Sequence, residues 1–330
     1  MSLTIENIKP LIISQLPLKN RTGGVEVWTG QLKRFFKNAV IVGPPEGMPL
    51  SRFEHINAQR TVKAAIENYE PRDFDLVITS GMGGHTLSDI KLKRVNFFHG
   101  NWMGFRDHCY RIFDRRYISI SVLKIPYEIK SAKNALNIPV SKFVADCLNK
   151  ERIGRQVLIY NTVFTEYIKS TPEYALFVGR PTAEKGFGIF LHICRRNPRD
   201  RFTAVIPSGR KLAGIPENLE ILYDIPNSDM RAVYGKASML IMPSLFEGNS
   251  FVILEALACD VPVIGSNVGL LWELDDIPGR IVNGFELEEW SRAYRDMKDL
   301  GHGTSPKKFF LDHYSPSAIN EQWERALEML

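Results

Sequence analysis

The sequence predicts an α/β protein made of two doubly wound domains, and three observations carry that expectation. Short apolar runs alternate with amphipathic helical stretches along the whole chain. The alternation restarts after a polar stretch, Asn161–Thr171, that ends at Pro172 and suits a hinge. The 330 residues fit two domains at roughly 150 residues each.

The elements follow in order. In the first half, Leu11–Gln15, Ala39–Gly43, Leu76–Ser80 and Val95–Phe98 read as strands, and Ile118–Ser121 and Val157–Tyr160 add two more. Val25–Phe36 and Ala58–Tyr69 carry the helical periodicity between them. The second half repeats the pattern with Tyr174–Gly179, Phe202–Pro207, Leu219–Leu222, Met239–Met242, Val261–Gly265 and Arg280–Val282. A last helix, Ser317–Leu330, follows a Tyr-Ser-Pro break and carries Ile319, Trp323, Ala326 and Leu327 at helical spacing. The expected divisions are residues 1–163, 164–312 and 313–330. Two such domains facing a cleft would hold ligands at the C-terminal ends of their strands.

Composition narrows the function classes. Apolar residues make up 44% and charged residues 24%, ordinary for a globular chain able to bury a sizeable core. Cys109, Cys147, Cys194 and Cys259 are widely separated with no CxxC pair, which argues against a zinc site or a disulfide framework. The opening MSLTIENIKP does not read as a secretory signal, and no stretch nears the roughly 18 apolar residues of a membrane span. A cytoplasmic protein is expected.

The net charge of +5 hides an asymmetry. Met1–Thr165 holds 24 Lys or Arg against 14 Asp or Glu, whereas the remainder holds 18 against 23. Seven of the cations lie between Lys91 and Arg116. A positive first half can meet an anionic membrane surface, an acidic acceptor or nucleic acid, or simply be a solvated face. Basic residues interleaved with aromatics, as a nucleic-acid surface needs, are not evident, so no nucleic-acid partner is expected.

The segment with the strongest chemical content is Pro243-Ser-Leu-Phe-Glu247-Gly-Asn249-Ser250-Phe251-Val-Ile-Leu-Glu255. A strand ends at Pro243 and a helix starts near Asn249 or Ser250, so the N–H groups of Asn249, Ser250 and Phe251 are available to phosphate or sugar oxygens. Glu247 precedes the helix and Glu255 lies inside it; a carboxylate there could accept two hydrogen bonds from a ribose diol. Tyr174–Gly179 runs into Arg180-Pro-Thr-Ala-Glu-Lys185-Gly186. Arg180 and Lys185 can therefore converge on one anion, the guanidinium as a fork and the ammonium as a point charge. Each motif alone is usually surface; together, on neighbouring strand ends, they suit a pyrophosphate.

These residues resemble glycosyltransferase family 4, the retaining enzymes of the GT-B fold. The resemblance rests on Gly179-Arg-x4-Lys185-Gly186, Glu247-x7-Glu255 and Ala258-Cys-Asp-Val-Pro-Val. In the first half, Gly23-Gly24-Val-Glu26 looks like the family's glycine loop, and Ser141–Asp146 and Val157–Asn161 resemble its domain-closing strands. The resemblance implies two Rossmann-like domains facing a cleft, with the last helix crossing back to the first. It implies that Arg180 and Lys185 bind a donor diphosphate, Glu255 the ribose hydroxyls and Glu247 the donor sugar. Backbone groups at Asn249–Phe251 would meet sugar and phosphate, and those at Gly23 and Gly24 the distal phosphate. His99, after Val95–Phe98, matches a family position facing the donor sugar.

Three departures fall in loops expected near the cleft. Asp260 stands where the family usually has glycine, Asn161-Thr-Val-Phe replaces Asn-Gly-Val-Asp, and Val268-Gly269-Leu-Leu-Trp272-Glu273 has a single glycine. Asp73-Phe-Asp75 matches a metal motif of another transferase fold but opens a strand, where a solvated turn is expected. Gly81-Met-Gly-Gly84 follows a strand and could line the cleft without being a dinucleotide fingerprint. No cofactor is expected.

The leading expectation is a retaining hexosyl transfer from a UDP- or GDP-sugar to a glycan or lipid-linked acceptor, in bacterial polysaccharide or glycoconjugate synthesis. No protein nucleophile stands out, so same-face attack assisted by the leaving phosphate fits better than double displacement. A nucleotide-sugar epimerase of the same fold and a non-catalytic sugar or nucleic-acid binding protein are the alternatives.

Overall fold

The computed structural model describes residues 4–14, 24–49, 51, 53–164, 170–209, 212–274, 277–300 and 305–330. They form two compact units, Met1–Asn161 with Ser317–Leu330, and Thr162–Pro316.

The first unit contains β1 (Pro10–Ile13), α1 (Gly24–Phe35), β2 (Val40–Val42), α2 (Glu54–Asn68), β3 (Leu76–Ser80) and β4 (Arg94–Phe98). Then come α3 (Trp102–Cys109), α4 (Arg115–Leu123), α5 (Ile125–Ala132), β5 (Leu136–Pro139) and α6 (Lys142–Lys150). Its five strands are parallel in the order β2-β1-β3-β4-β5. β1, β3, β4 and β5 are buried along their whole length, as a parallel sheet covered on both faces requires; β1 and β3 are correspondingly apolar, whereas β4 and β5 bury Arg94, Asn96 and Asn137.

The second unit contains β6 (Tyr174–Val178), α7 (Phe187–Arg196), β7 (Phe202–Ile206), β8 (Leu219–Tyr223), α8 (Asn227–Gly235) and β9 (Ala237–Met242). It continues with α9 (Phe251–Ala258), β10 (Val263–Ser266), β11 (Gly279–Val282), α10 (Leu287–Leu300) and α11 (Pro306–Tyr314). Six parallel strands lie in the order β11-β10-β9-β6-β7-β8. One face is closed by Phe187, Phe190 and Cys194 of α7 and Trp290 of α10 packing on Phe177, Phe202 and Ile264.

The final helix, α12 (Pro316–Glu328), belongs to the first unit. Its buried Trp323 meets Phe36 edge-on at 4.8 Å and Phe97 at 5.4 Å between ring centroids. The Tyr160 N–H donates to Gln322 Oε1 (3.0 Å), and Arg155 Nη2 donates to the Met329 carbonyl (2.9 Å).

Three expected strands differ. Ile118–Ser121 lies inside α4: Asp114 accepts the Arg116 N–H at 2.7 Å and starts a helix that turns only Tyr117, Ile120 and Ser121 inward, so a period of three to four overrides the alternation of Ile and Ser. Ser141–Asp146 opens α6, because the Ser141 hydroxyl caps the Val144 N–H at 3.2 Å. Val157–Tyr160 is extended, donating from Val157 and Ile159 to the Asn137 and Pro139 carbonyls, without becoming a strand. β5 itself, Leu-Asn-Ile-Pro, carries too little apolar pattern to be foreseen.

Gly81–Gly84 forms a short 3-10 turn whose Met82, Gly83 and Gly84 are buried in the first unit. A Cβ on Gly84 would stand 2.2 Å from Arg94 Nη1 and 2.8 Å from Thr79 Oγ1. Arg94 is buried; its guanidinium donates to the Ser131 and Lys133 carbonyls, and burial pulls its pKa down to about 10. Asp75 accepts the Lys9 N–H at 2.8 Å, so the Asp-Phe-Asp turn ties the entries of two neighbouring strands together.

Trp323 is fully buried against Phe36 and Phe97, so Trp323→Ala leaves a cavity costing about 3–5 kcal/mol. Calorimetry on that variant is expected to show the first unit's transition lowered by roughly 10 °C, with the second unit's unchanged.

Candidate functional site

Because all six strands of the second unit are parallel, the loops leaving β6, β9 and β10, three adjacent strands, emerge at the same sheet edge. They are Gly179–Gly186, Pro243–Ser250 and Asn267–Gly269. The first two are joined by a backbone bond from the Leu245 N–H to the Glu184 carbonyl at 2.8 Å. Two glycines allow the approach. Gly186 has φ +66°, and a Cβ there would stand 2.0 Å from the Pro243 carbonyl oxygen. Gly269, φ +59°, would place a Cβ 2.4 Å from the Gly248 oxygen. Both need a left-handed backbone and no side chain, which only glycine supplies without strain.

On this frame the ammonium of Lys185 forms an ion pair with the carboxylate of Glu247, whose side chain is only 11% exposed. Arg180 follows β6 at the other end of the same loop and is exposed. Asn249 is buried, Ser250 occupies the capping position of α9 without a side-chain cap bond, and Phe251 is its first helical residue. The opening turn of α9 therefore presents N–H groups with no intrahelical acceptor. Thr182, Ser244 and Ser266, each just at or beyond one of these three strands, have buried hydroxyls without a hydrogen-bond partner among the described residues.

Glu255 is turned inward. Tyr234 Oη of α8 donates to one of its oxygens at 2.8 Å, and Asn227 Nδ2 reaches the other at 3.4 Å. Burial raises its pKa to about 7, against the opposing pull of the Tyr234 and Asn227 hydrogen bonds. Tyr234 and Asn227 were not foreseen: they arrive from α8, 21 and 28 positions before Glu255, with no motif linking them to it.

His99 lies in the first unit, after β4. Its ring meets Trp28 edge-on at 4.5 Å and stacks near Phe97 at 6.0 Å. The residue keeps some solvent exposure, but both ring nitrogens are buried without a partner among the described residues, and desolvation pushes its pKa down to about 3. It is a neutral imidazole. Gly24 opens α1, whereas Gly23 lies outside the described residues.

Asp260 corrects one expectation. It sits after α9 at the entry to β10, the opposite sheet edge from the three loops. Its φ of +59° explains why glycine suits the position, and the carboxylate accepts the Ser305 hydroxyl (2.7 Å) and the Lys307 N–H (3.0 Å) at the start of α11. The departure from glycine is thus local structure. Thr162 likewise donates to the Tyr314 carbonyl at 2.6 Å. A concavity of about 630 Å³ at that far edge, lined by Tyr174, Arg201, Asn218 and Lys236, has none of the loop glycines or the helix N-terminus of the site.

Residues 172–297 match the family described as "Glycosyl transferases group 1". An uncharacterized glycosyltransferase of Methanocaldococcus jannaschii is 29% identical over 147 residues, 42% of this chain and 41% of that one. The O-antigen chain mannosyltransferase of Salmonella typhimurium is 26% identical over 209 residues, 56% of this chain and 57% of that one. The chain thus spans about two fifths to somewhat over half of the length of these curated relatives. The crystal structure of Anabaena HepE in complex with UDP-glucose superimposes with a TM-score of 0.72 at 16% identity, covering 98% of this chain and all of that one. The chain has the GT-B fold.

The raised pKa of Glu255 has a defined sign for stability. Between about 4.5 and 7 the unfolded carboxyl ionises while the folded one holds its proton, so this group's contribution falls as pH rises and levels off above 7. Glu255→Gln should match the native chain at pH 4.5 and exceed it at pH 8 by up to about 3 kcal/mol, as read from denaturant midpoints at the two pH values.

Proposed function

We propose, from the match of residues 172–297 to the family described as "Glycosyl transferases group 1", that this chain moves a hexose-type sugar from a UDP- or GDP-linked donor to a glycan or lipid-linked acceptor, with retention at the anomeric carbon. The observation that carries the reading is the Lys185–Glu247 pair set beside the α9 N-terminus, with the carboxylate of Glu255 buried one and a half turns further on. HepE binding UDP-glucose supports a nucleotide-sugar donor, and similarity to an O-antigen mannosyltransferase supports a role in building a polysaccharide or glycoconjugate.

In this reading the arriving diphosphate exchanges ion-pair partners. Lys185 leaves Glu247 for the phosphate oxygens, Arg180 closes on the same group, and the freed Glu247 carboxylate accepts hydroxyls of the donor sugar. As the anomeric C–O bond ionises, negative charge grows on the leaving phosphate, where the two cations and the α9 N–H groups stabilise it. The acceptor hydroxyl attacks from the face the diphosphate leaves and gives it the proton, so no protein nucleophile is needed. Glu255, ionised, takes the ribose hydroxyls in place of the long contact from Asn227.

Lys185→Ala and Arg180→Ala are each expected to lower transfer from UDP-glucose or GDP-mannose by about 10²–10³ with an unchanged circular dichroism spectrum; turnover like that of the native chain in either variant removes that cation from the mechanism. Because ribose contact needs ionised Glu255, calorimetric affinity for the donor should fall about tenfold from pH 8 to pH 6. Glu255→Gln should bind weakly and lose that dependence.

A further inference from the structure

Soluble helices bury their apolar stripe; α4 buries only part of its apolar set. Its inward arc is Tyr117, Ile120 and Ser121, while Ile118 and Val122 lie 54% and 63% exposed on the outward arc beside Arg115. The approach to the helix adds Phe113, 93% exposed, and Ile112, 66% exposed, next to exposed Arg111. The orientation is fixed from behind: Arg106 of α3 lies over the Tyr117 ring at 4.4 Å and its Nη1 donates to Ser121 Oγ at 2.9 Å. The apolar groups are therefore held outward by a packed layer.

Along the segment the charge is one-sided: residues 111–133 contain six Lys or Arg and two acids, Asp114 and Glu128. Lys124 and Lys133 pair with Glu54 and Asp89 of other segments, whereas Arg111 and Arg115 stand exposed beside the apolar groups. Glu128 is buried, accepts the Trp102 N–H at 2.8 Å, and has its carboxyl pushed well above the usual range by burial first and then by neighbouring Glu151. Asp114 is occupied in capping α4. On α5, exposed Ile129 and Lys130 continue the same mixture. An exposed Phe–Ile–Val set bordered by cations complements the boundary between anionic headgroups and acyl chains, where apolar tips enter and arginines meet phosphates. Among the described residues no helix is long and apolar enough to cross a membrane, so contact here would be superficial.

We propose that the 111–123 segment of the first unit docks flat on an anionic lipid bilayer, with Phe113, Ile118 and Val122 inserted and Arg111 and Arg115 on the headgroups. The surface rests on the reading above only for its purpose, delivery of a lipid-linked acceptor; the docking itself needs no donor. Co-sedimentation of the full chain with phosphatidylcholine vesicles, with and without 30 mol% phosphatidylglycerol, tests it alongside calorimetric UDP-glucose binding by the same samples.

Enrichment on the anionic vesicles is expected, with much weaker binding to neutral ones. Phe113→Ser with Ile118→Ser should lower the partition coefficient at least tenfold, and Arg111→Gln with Arg115→Gln about twentyfold. UDP-glucose affinity should be untouched in all four substitutions, so a failure of docking and a failure of the donor reading remain separate results. No enrichment at low salt, equal binding to both vesicle types, or full binding by the Phe113→Ser/Ile118→Ser variant overturns the proposal. A concentration-dependent dimer broken by those two substitutions would assign the face to a second copy of the chain instead.

Discussion

An ammonium and a carboxylate neutralising each other where two loops are pinned together is the interaction on which the rest of the second unit's site depends. Lys185 and Glu247 are both drawn partly out of water, a situation in which either charge alone would be costly and the two together are tolerable. The pairing is made possible by backbone contacts, Leu245 to Glu184 and the glycine-sized gaps at Gly186 and Gly269. On the proposed reading, the ammonium that would meet the donor diphosphate is balanced beforehand by a carboxylate placed to receive sugar hydroxyls.

Glu255 shows a different solution to the same problem. It has no cation beside it; a tyrosine hydroxyl and an amide share its oxygens, and burial outweighs both. Its proton is consequently held close to neutrality. One acid of the pair is joined to a cation and the other is kept adjustable by its surroundings, although only eight positions and a single helical start separate them. Environment, rather than residue type, distinguishes the two glutamates.

Much of this was legible in the chain because parallel strands buried on both faces write themselves as apolar runs, and because the chemistry sits where such runs end. β3, β6, β7 and β9 and the loops after β6 and β9 are readable for that reason. α4 was not: Ile-Ser-Ile-Ser-Val alternates like a strand, and the misreading and the outward apolar face share one cause, since a helix built from that alternation must expose some of its aliphatic residues. The Lys185–Glu247 contact spans 62 positions and the Tyr234–Glu255 contact joins two helices, so neither leaves a local pattern. Asp260 looked like a clue to specificity and is explained instead by a left-handed turn and a helix cap at the far edge of the sheet.

The return of α12 to the first unit carries a consequence for biogenesis. Trp323, which follows the whole second unit in the sequence, completes packing begun by Phe36 and Phe97. During synthesis the first unit leaves the ribosome early yet lacks its closing indole until the second unit has been translated. The second unit, contiguous from Thr162 to Pro316, can mature before it. The nascent first unit therefore waits with an unfilled aromatic slot, the stage at which holdase chaperones would find most to bind.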